Sequence, residues 1–200
     1  MKKLIIATAV LLSPIFFFAQ ERESVESHEV RKGFYGNLNI NSLSPFDETY
    51  NFGLGGGMHF SEQFHIGLNY FAGKGSTERL FSDSLTNKSS DLKYRSFGIE
   101  LGYEIPLEKH FSIMPYFNQT FMKYTYSSNP YLTKKGSEDN FLNTQLGAKL
   151  FFVANENIKL GANVSYGLAN GVNLDHTTAT DLSGLNLGLT IQYNYFLPKW

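Results

Sequence analysis

Residues 185–200 read Leu-Asn-Leu-Gly-Leu-Thr-Ile-Gln-Tyr-Asn-Tyr-Phe-Leu-Pro-Lys-Trp. Leu185, Leu187, Leu189, Ile191, Tyr193 and Tyr195 fall on one parity, and Asn186, Gly188, Thr190, Gln192 and Asn194 on the other. Successive side chains of a β-strand point to opposite faces, so a period of two describes a strand with one apolar face and one small, polar face. At helical spacing the same residues would scatter around the cylinder. The fold then turns on which face looks at lipid, at water or into a lumen.

The same alternation recurs from Gly33 onward. It predicts strands over 33–43, 50–60, 64–73, 92–105, 111–125, 142–152 and 158–168, with 185–195 as the eighth. In the second, Tyr50, Phe52, Leu54, Met58 and Phe60 oppose Asn51, Gly53, Gly55, Gly57 and His59. In the fourth, Phe97, Ile99, Leu101, Tyr103 and Ile105 oppose Ser96, Gly98, Glu100, Gly102 and Glu104. Each strand has at least the roughly 9–11 residues that a tilted membrane strand needs. The connections alternate in length. Residues 61–63, 106–110 and 153–157 are short turns, whereas 44–49, 74–91, 127–141 and 169–183 are mostly longer and rich in turn-forming residues. Short turns at one end and long loops at the other are the asymmetry of an outer-membrane barrel, with both chain ends on the periplasmic side.

A soluble eight-stranded barrel of the lipocalin type would turn the apolar face inward instead. Three features oppose it. The polar face is mostly Gly, Asn, Ser and Thr with few charges, which suits a narrow lumen better than a water-facing wall. The apolar face places Leu and Ile in mid-strand and aromatics toward the ends, such as Phe34, Phe60, Phe64 and Tyr193 low and Tyr50, Tyr70, Phe121 and Tyr166 high. Two such belts resemble interfacial girdles. No Trp stands near the first strand, where a lipocalin signature would need one. The fold expected is all-β: a closed eight-stranded antiparallel up-and-down transmembrane β-barrel.

The start of the chain has a different character. Lys2 and Lys3 precede an apolar run from Leu4 to Phe18, followed by Ala19. A basic start, a short apolar run and a small exit residue describe a secretory signal peptide over 1–19. Residues 20–32 are charged and read as a flexible periplasmic leader, leaving 33–200 as the barrel. Losing Lys2 and Lys3 with the signal moves the formal net charge from −1 to −3. That balance gives no reason to expect nucleic acid as a partner. The chain has no Cys, which excludes disulfides, thiolate chemistry and a lipidated N-terminal Cys.

With this pattern, the signal and the terminal aromatic, the chain from Gly33 onward resembles the small bacterial outer-membrane β-barrel family of the OmpA/OmpX transmembrane type. The resemblance implies residence in the cell outer membrane and recognition of the final strand by the barrel-assembly machinery. That family commonly ends its last strand in Phe; here Leu197-Pro198-Lys199-Trp200 follows the last regular alternation. Either Trp200 or the Tyr193–Tyr195 segment would be the part recognised. No peptidoglycan-binding domain is expected after the barrel.

Several groups could carry more than structure. Glu100, Glu104, Lys149 and Lys159 point inward in the lower half of the lumen and are expected to pair as a structural ion cluster, since unpaired buried charge is costly. A gated ion path is the alternative use of the same four. His59 and His65 flank the turn Ser61-Glu62-Gln63 and would face each other if Phe60 pairs with Phe64, as polar filling rather than as a metal site. Lys93, Arg95 and Lys123 point outward. Pairing Ile105 with Phe111 would set Lys93 opposite Lys123, with Arg95 beside them. Arg95 then stands about 25 Å above Ile105, at the top of the apolar band, where lipopolysaccharide phosphate is the expected contact. His110-Phe111-Ser112 and His59-Phe60-Ser61 share the letters of the His-x-Ser pair of lipid A deacylases, but both fall at short turns. Gly53-Leu-Gly55-Gly-Gly57 precedes no helix and reads as room for a bulky lumen neighbour such as Tyr35 or Phe71, not as a phosphate loop.

The reading that follows is a monomeric, non-enzymatic barrel without a cofactor. Its lumen is plugged by side chains, and it has a structural or surface-interaction role through loops 74–91, 127–141 and 169–183, whose ligand is unknown. A small porin and a lipid A-modifying enzyme are the alternatives.

Overall fold

The computed structural model of this protein describes residues 32–43, 50–61, 63–76, 91–108, 110–127, 138–172, 179 and 182–197. The expected signal peptide, nearly all of the leader, most of the four long connections, Glu62 and Trp200 lie outside the described residues.

Among the described residues, nine strand segments form the wall. They are β1 (Gly33–Leu43), β2 (Tyr50–His59), β3 (Phe64–Ser76), β4 (Asp91–Tyr103), β5 (Ile105–Glu108), β6 (Phe111–Ser127), β7 (Glu138–Val153), β8 (Ile158–Asn170) and β9 (Gly184–Phe196). β5 continues β4 past Glu104, and both pair with β6, so the wall has eight staves. Gly102 pairs with Tyr116 and Ile105 with Ile113, which sets Tyr103 opposite Pro115. Proline has no N–H to give to a ladder, and this accounts for the break.

All neighbours are antiparallel, in the order β4-β3-β2-β1-β9-β8-β7-β6, and β4 closes on β6. The seam is β9. It pairs with β1 from Phe196 opposite Gly33 to Asn186 opposite Leu43, and with β8 from Tyr193 opposite Ile158 to Gly184 opposite Gly167. One further bond, Leu197 N–H to the Lys32 carbonyl at 3.0 Å, extends the β1–β9 ladder. Among the described residues every stave has a neighbour on both sides, so no stave presents a whole open edge to lipid.

Burial is inverted relative to a water-soluble protein. Leu189 is 65% exposed and Phe121 68%, while Asn194 on the opposite face of β9 is 0% exposed. An apolar wall of this extent suits lipid and not water. The interior is mainly polar, and Met114, Tyr116 and Phe151 form an apolar cluster within it.

Strands β3, β6 and β7 run further toward the long connections than the alternation predicts, to Ser76, to Ser127 and from Glu138. The polar ends of these strands hide their period of two. The bend after β8 uses Gly171, whose φ of 79° is a left-handed conformation that glycine adopts without a Cβ clash.

Candidate functional site

At the short-turn end of the lumen, side chains from three strands converge on Glu104. Lys159 on β8 donates to both of its carboxylate oxygens, at 2.5 and 2.7 Å. Ser112 on β6 donates to Oε1 at 2.6 Å, and His65 Nε2 on β3 lies 3.2 Å from Oε2. A second pair lies nearer mid-lumen, where Lys149 Nζ on β7 donates to Glu100 Oε1 on β4 at 2.5 Å. The same ammonium sits 4.9 Å from the centre of the Tyr116 ring. β4 and β7 are not neighbours in the wall, nor are the β4–β5 junction and β8, so both pairs cross the lumen as chords. All four ionic side chains are buried, and their mutual attraction offsets a desolvation cost of several kcal/mol per ion. The four lumen charges singled out from the sequence are therefore brought together as two pairs.

The histidines face each other across β2 and β3, since His59 pairs with His65 in the ladder and their ring centroids are 4.3 Å apart. His59 Nε2 lies 3.1 Å from Asn194 Oδ1, to which Gln192 Nε2 also donates at 2.8 Å. Tyr35 flanks both rings at 5.2 and 5.6 Å. The acid that approaches this pair is Glu104. It lies on the neighbouring stave two positions past Gly102, the residue opposite His65, so the shared inward parity was the signal for it. Its two oxygens are engaged by the Lys159 ammonium, and among the described residues no three His, Asp or Glu side chains are placed to hold a metal ion.

Above the ion pairs lies a cavity of about 30 Å³ whose lining includes Asn39, Asn41, Asn118, Gln145, Glu100 and Lys149. That space admits roughly two water molecules. Over it, toward the long connections, three buried rings stack in series: Tyr94 on Tyr124 at 5.6 Å, and Tyr124 on Phe141 at 5.1 Å. Sequence reasoning passed over this aromatic layer. The signal was present, because Tyr94 shares the parity of Ser96, Tyr124 that of Thr120 and Phe141 that of Asn143. The inward glycines of β2 make the expected room: a Cβ at Gly53 would strike the Phe71 ring, and one at Gly57 would lie 2.8 Å from Tyr35 Cε1.

The outward cations differ from the expected register. Arg95, not Lys93, stands opposite Lys123, while Lys93 faces Thr125 on β6 and Lys74 on β3. The cause is the short turn. Residues 106–108 are strand rather than loop, Ile105 pairs with Ile113 instead of Phe111, and the register shifts between Pro106 and Glu108. The whole β4–β6 pairing therefore moves by two residues. Lys123 is bridged to Glu138 at 3.2 Å, with both side chains exposed, so this contact adds little stability.

The two His-x-Ser matches do not assemble. Ser112 gives its hydroxyl to Glu104, whereas His110 lies on the turn, 3.4 Å from the Val153 carbonyl and stacked on Phe152. Ser61 Oγ accepts the N–H groups of Gln63 and Phe64, capping the β2–β3 turn.

Comparison with known proteins bears on this architecture. A family model described as outer membrane protein beta-barrel domain matches residues 8–195. Among solved structures, the chain is similar to Neisserial surface protein A, with a TM-score of 0.54 at 12% identity, covering 82% of this chain and 96% of that one. It is also similar to a major outer membrane protein from Thermus thermophilus, with a TM-score of 0.55 at 10% identity, covering 82% and 99%. At such identities the likeness concerns the fold. No curated protein matches.

Proposed function

Since this chain belongs to the outer-membrane β-barrel domain family, we propose that it acts without chemistry, as a closed barrel whose rigid wall presents the long connections at the cell surface. Residues 1–19 would direct export. The barrel-assembly machinery would insert the chain as a monomer, and residues 74–91, 127–141 and 169–183 would carry any binding. Loops on a rigid scaffold are where such specificity usually resides.

The observation that carries the closed-lumen reading is the layering of the interior. Two buried ion pairs cross it, Glu100–Lys149 and Glu104–Lys159, and the stacked rings of Tyr94, Tyr124 and Phe141 lie above them. An eight-stranded barrel is just wide enough for side chains to fill. A hydrated ion would have to displace both layers.

Planar-bilayer recording of the purified protein tests the closed lumen. The expected record is a quiet baseline with at most rare, small openings. Steady large openings would replace this reading with a pore. Mass spectrometry of lipid A from cells with and without the protein tests the absence of chemistry, and the two profiles are expected to coincide.

A further inference from the structure

Six Lys or Arg residues lie in the described strands. Lys149 and Lys159 point inward; the other four, Lys74, Lys93, Arg95 and Lys123, are exposed on the outer wall. All four stand on three consecutive staves, β3, β4 and β6, at the long-connection end. They occupy two adjacent rows of the pleat. In the lower row Arg95 is opposite Lys123, and in the upper row Lys74 is opposite Lys93. Directly opposed side chains have Cβ atoms about 4.5–5.5 Å apart, and like charges so placed repel. The rows are separated by two residues of strand, roughly 6.6 Å. Within that footprint Glu138 supplies a counter-charge to Lys123; among the residues whose side chains are described, no carboxylate pairs with Lys74, Lys93 or Arg95.

The row immediately below the cations is apolar and aromatic: Tyr70, Phe97 and Phe121 in register, all exposed. The cations thus begin where the lipid-facing band ends. A soluble partner would have to reach past the bilayer surface to this side wall, whereas the headgroup of an outer-leaflet lipid lies at its level. Repulsion between paired cations is relieved by an anion that accepts hydrogen bonds from several of them at once, and a phosphate monoester has the oxygens to do so.

We propose that Lys74, Lys93, Arg95 and Lys123 form a binding site on the outer wall for the phosphorylated headgroup of an outer-leaflet glycolipid of the lipid A type. Arg95 and Lys93 are its centre, each flanked by a second cation, and Tyr70, Phe97 and Phe121 support the acyl chains beneath.

The test uses the full barrel folded in detergent, titrated with bis-phosphorylated lipid A and, separately, with the same lipid after removal of its phosphates. The wild type is expected to bind the phosphorylated lipid at least about tenfold more tightly, the range for hydrogen bonds to charged groups. K93Q/R95Q should lose that preference, while K93R should keep it. Far-UV circular dichroism establishes that each variant is a folded barrel, and a fall in wild-type affinity as salt rises gives an independent reading of the same contact. Equal binding of the two lipids, or unchanged preference in folded K93Q/R95Q, would overturn the proposal. Full competition by inorganic phosphate at the lipid's own concentration would also overturn it in favour of a free-anion site.

Discussion

Glu100 and Lys149 illustrate how single residues are constrained inside this lumen. Each is buried, and each has the other as its ionic partner at 2.5 Å. Removing one charge strands the other away from water, which in comparable buried pairs costs about 3–5 kcal/mol. Glu100→Gln is therefore expected to lower unfolding stability by that order in guanidinium titration of the detergent-folded barrel. The pairwise replacement Glu100→Gln/Lys149→Met is expected to recover most of the loss, because no uncompensated charge remains. If the double variant were as unstable as the single one, the cost would lie in packing rather than in charge. The inward parity of these residues was legible from the strand alternation. Their partners were not, because each pair crosses the lumen between staves that never hydrogen-bond to each other.

Among the elements, β9 has the cleanest division of faces. Leu189 faces outward near mid-strand, between Ile40 on β1 and Ala162 on β8, while Thr190 beside it is buried in the lumen. Leu189→Arg places a charge on the lipid face near mid-depth and is expected to cost about 2–4 kcal/mol, measured by unfolding from lipid vesicles. Leu185→Arg, nearer the long connections, should cost less, since the penalty falls toward the interface. Equal penalties at the two positions would argue against a membrane midplane at Leu189. The strand itself was legible because its period of two is unbroken from Leu185 to Tyr195. The β4–β6 register was not. It depends on a tight turn, a ladder irregularity at Pro106–Glu108 and the missing donor of Pro115, none of which alters the alternation.

For the whole molecule, stability rests on closure. Deleting residues 185–200 removes β9 and leaves one side each of β1 and β8 unpaired. Unsatisfied backbone groups in hydrocarbon cost several kcal/mol each. The truncated chain is expected to give no folded monomer in vesicles, seen as loss of the heat-dependent shift in electrophoretic mobility that marks an intact barrel. A folded, compact truncation would show that β1 and β8 can close on each other.

The sequence by itself determined the eight staves, the apolar face of each, the short-turn and long-connection ends, and the inward parity of the four lumen charges. All of these follow from a local period of two and from the spacing of turn-forming residues. Only the tertiary structure decided that Glu100 meets Lys149, that Glu104 gathers Lys159, Ser112 and His65, and that Arg95 rather than Lys93 stands against Lys123. Those contacts depend on stave-to-stave register and on closure of the wall, which bring together residues as far apart as 55 positions in the chain. A slip of two residues keeps every side chain on its proper face while changing every partner, so the alternation that reveals the faces carries no information about the pairs.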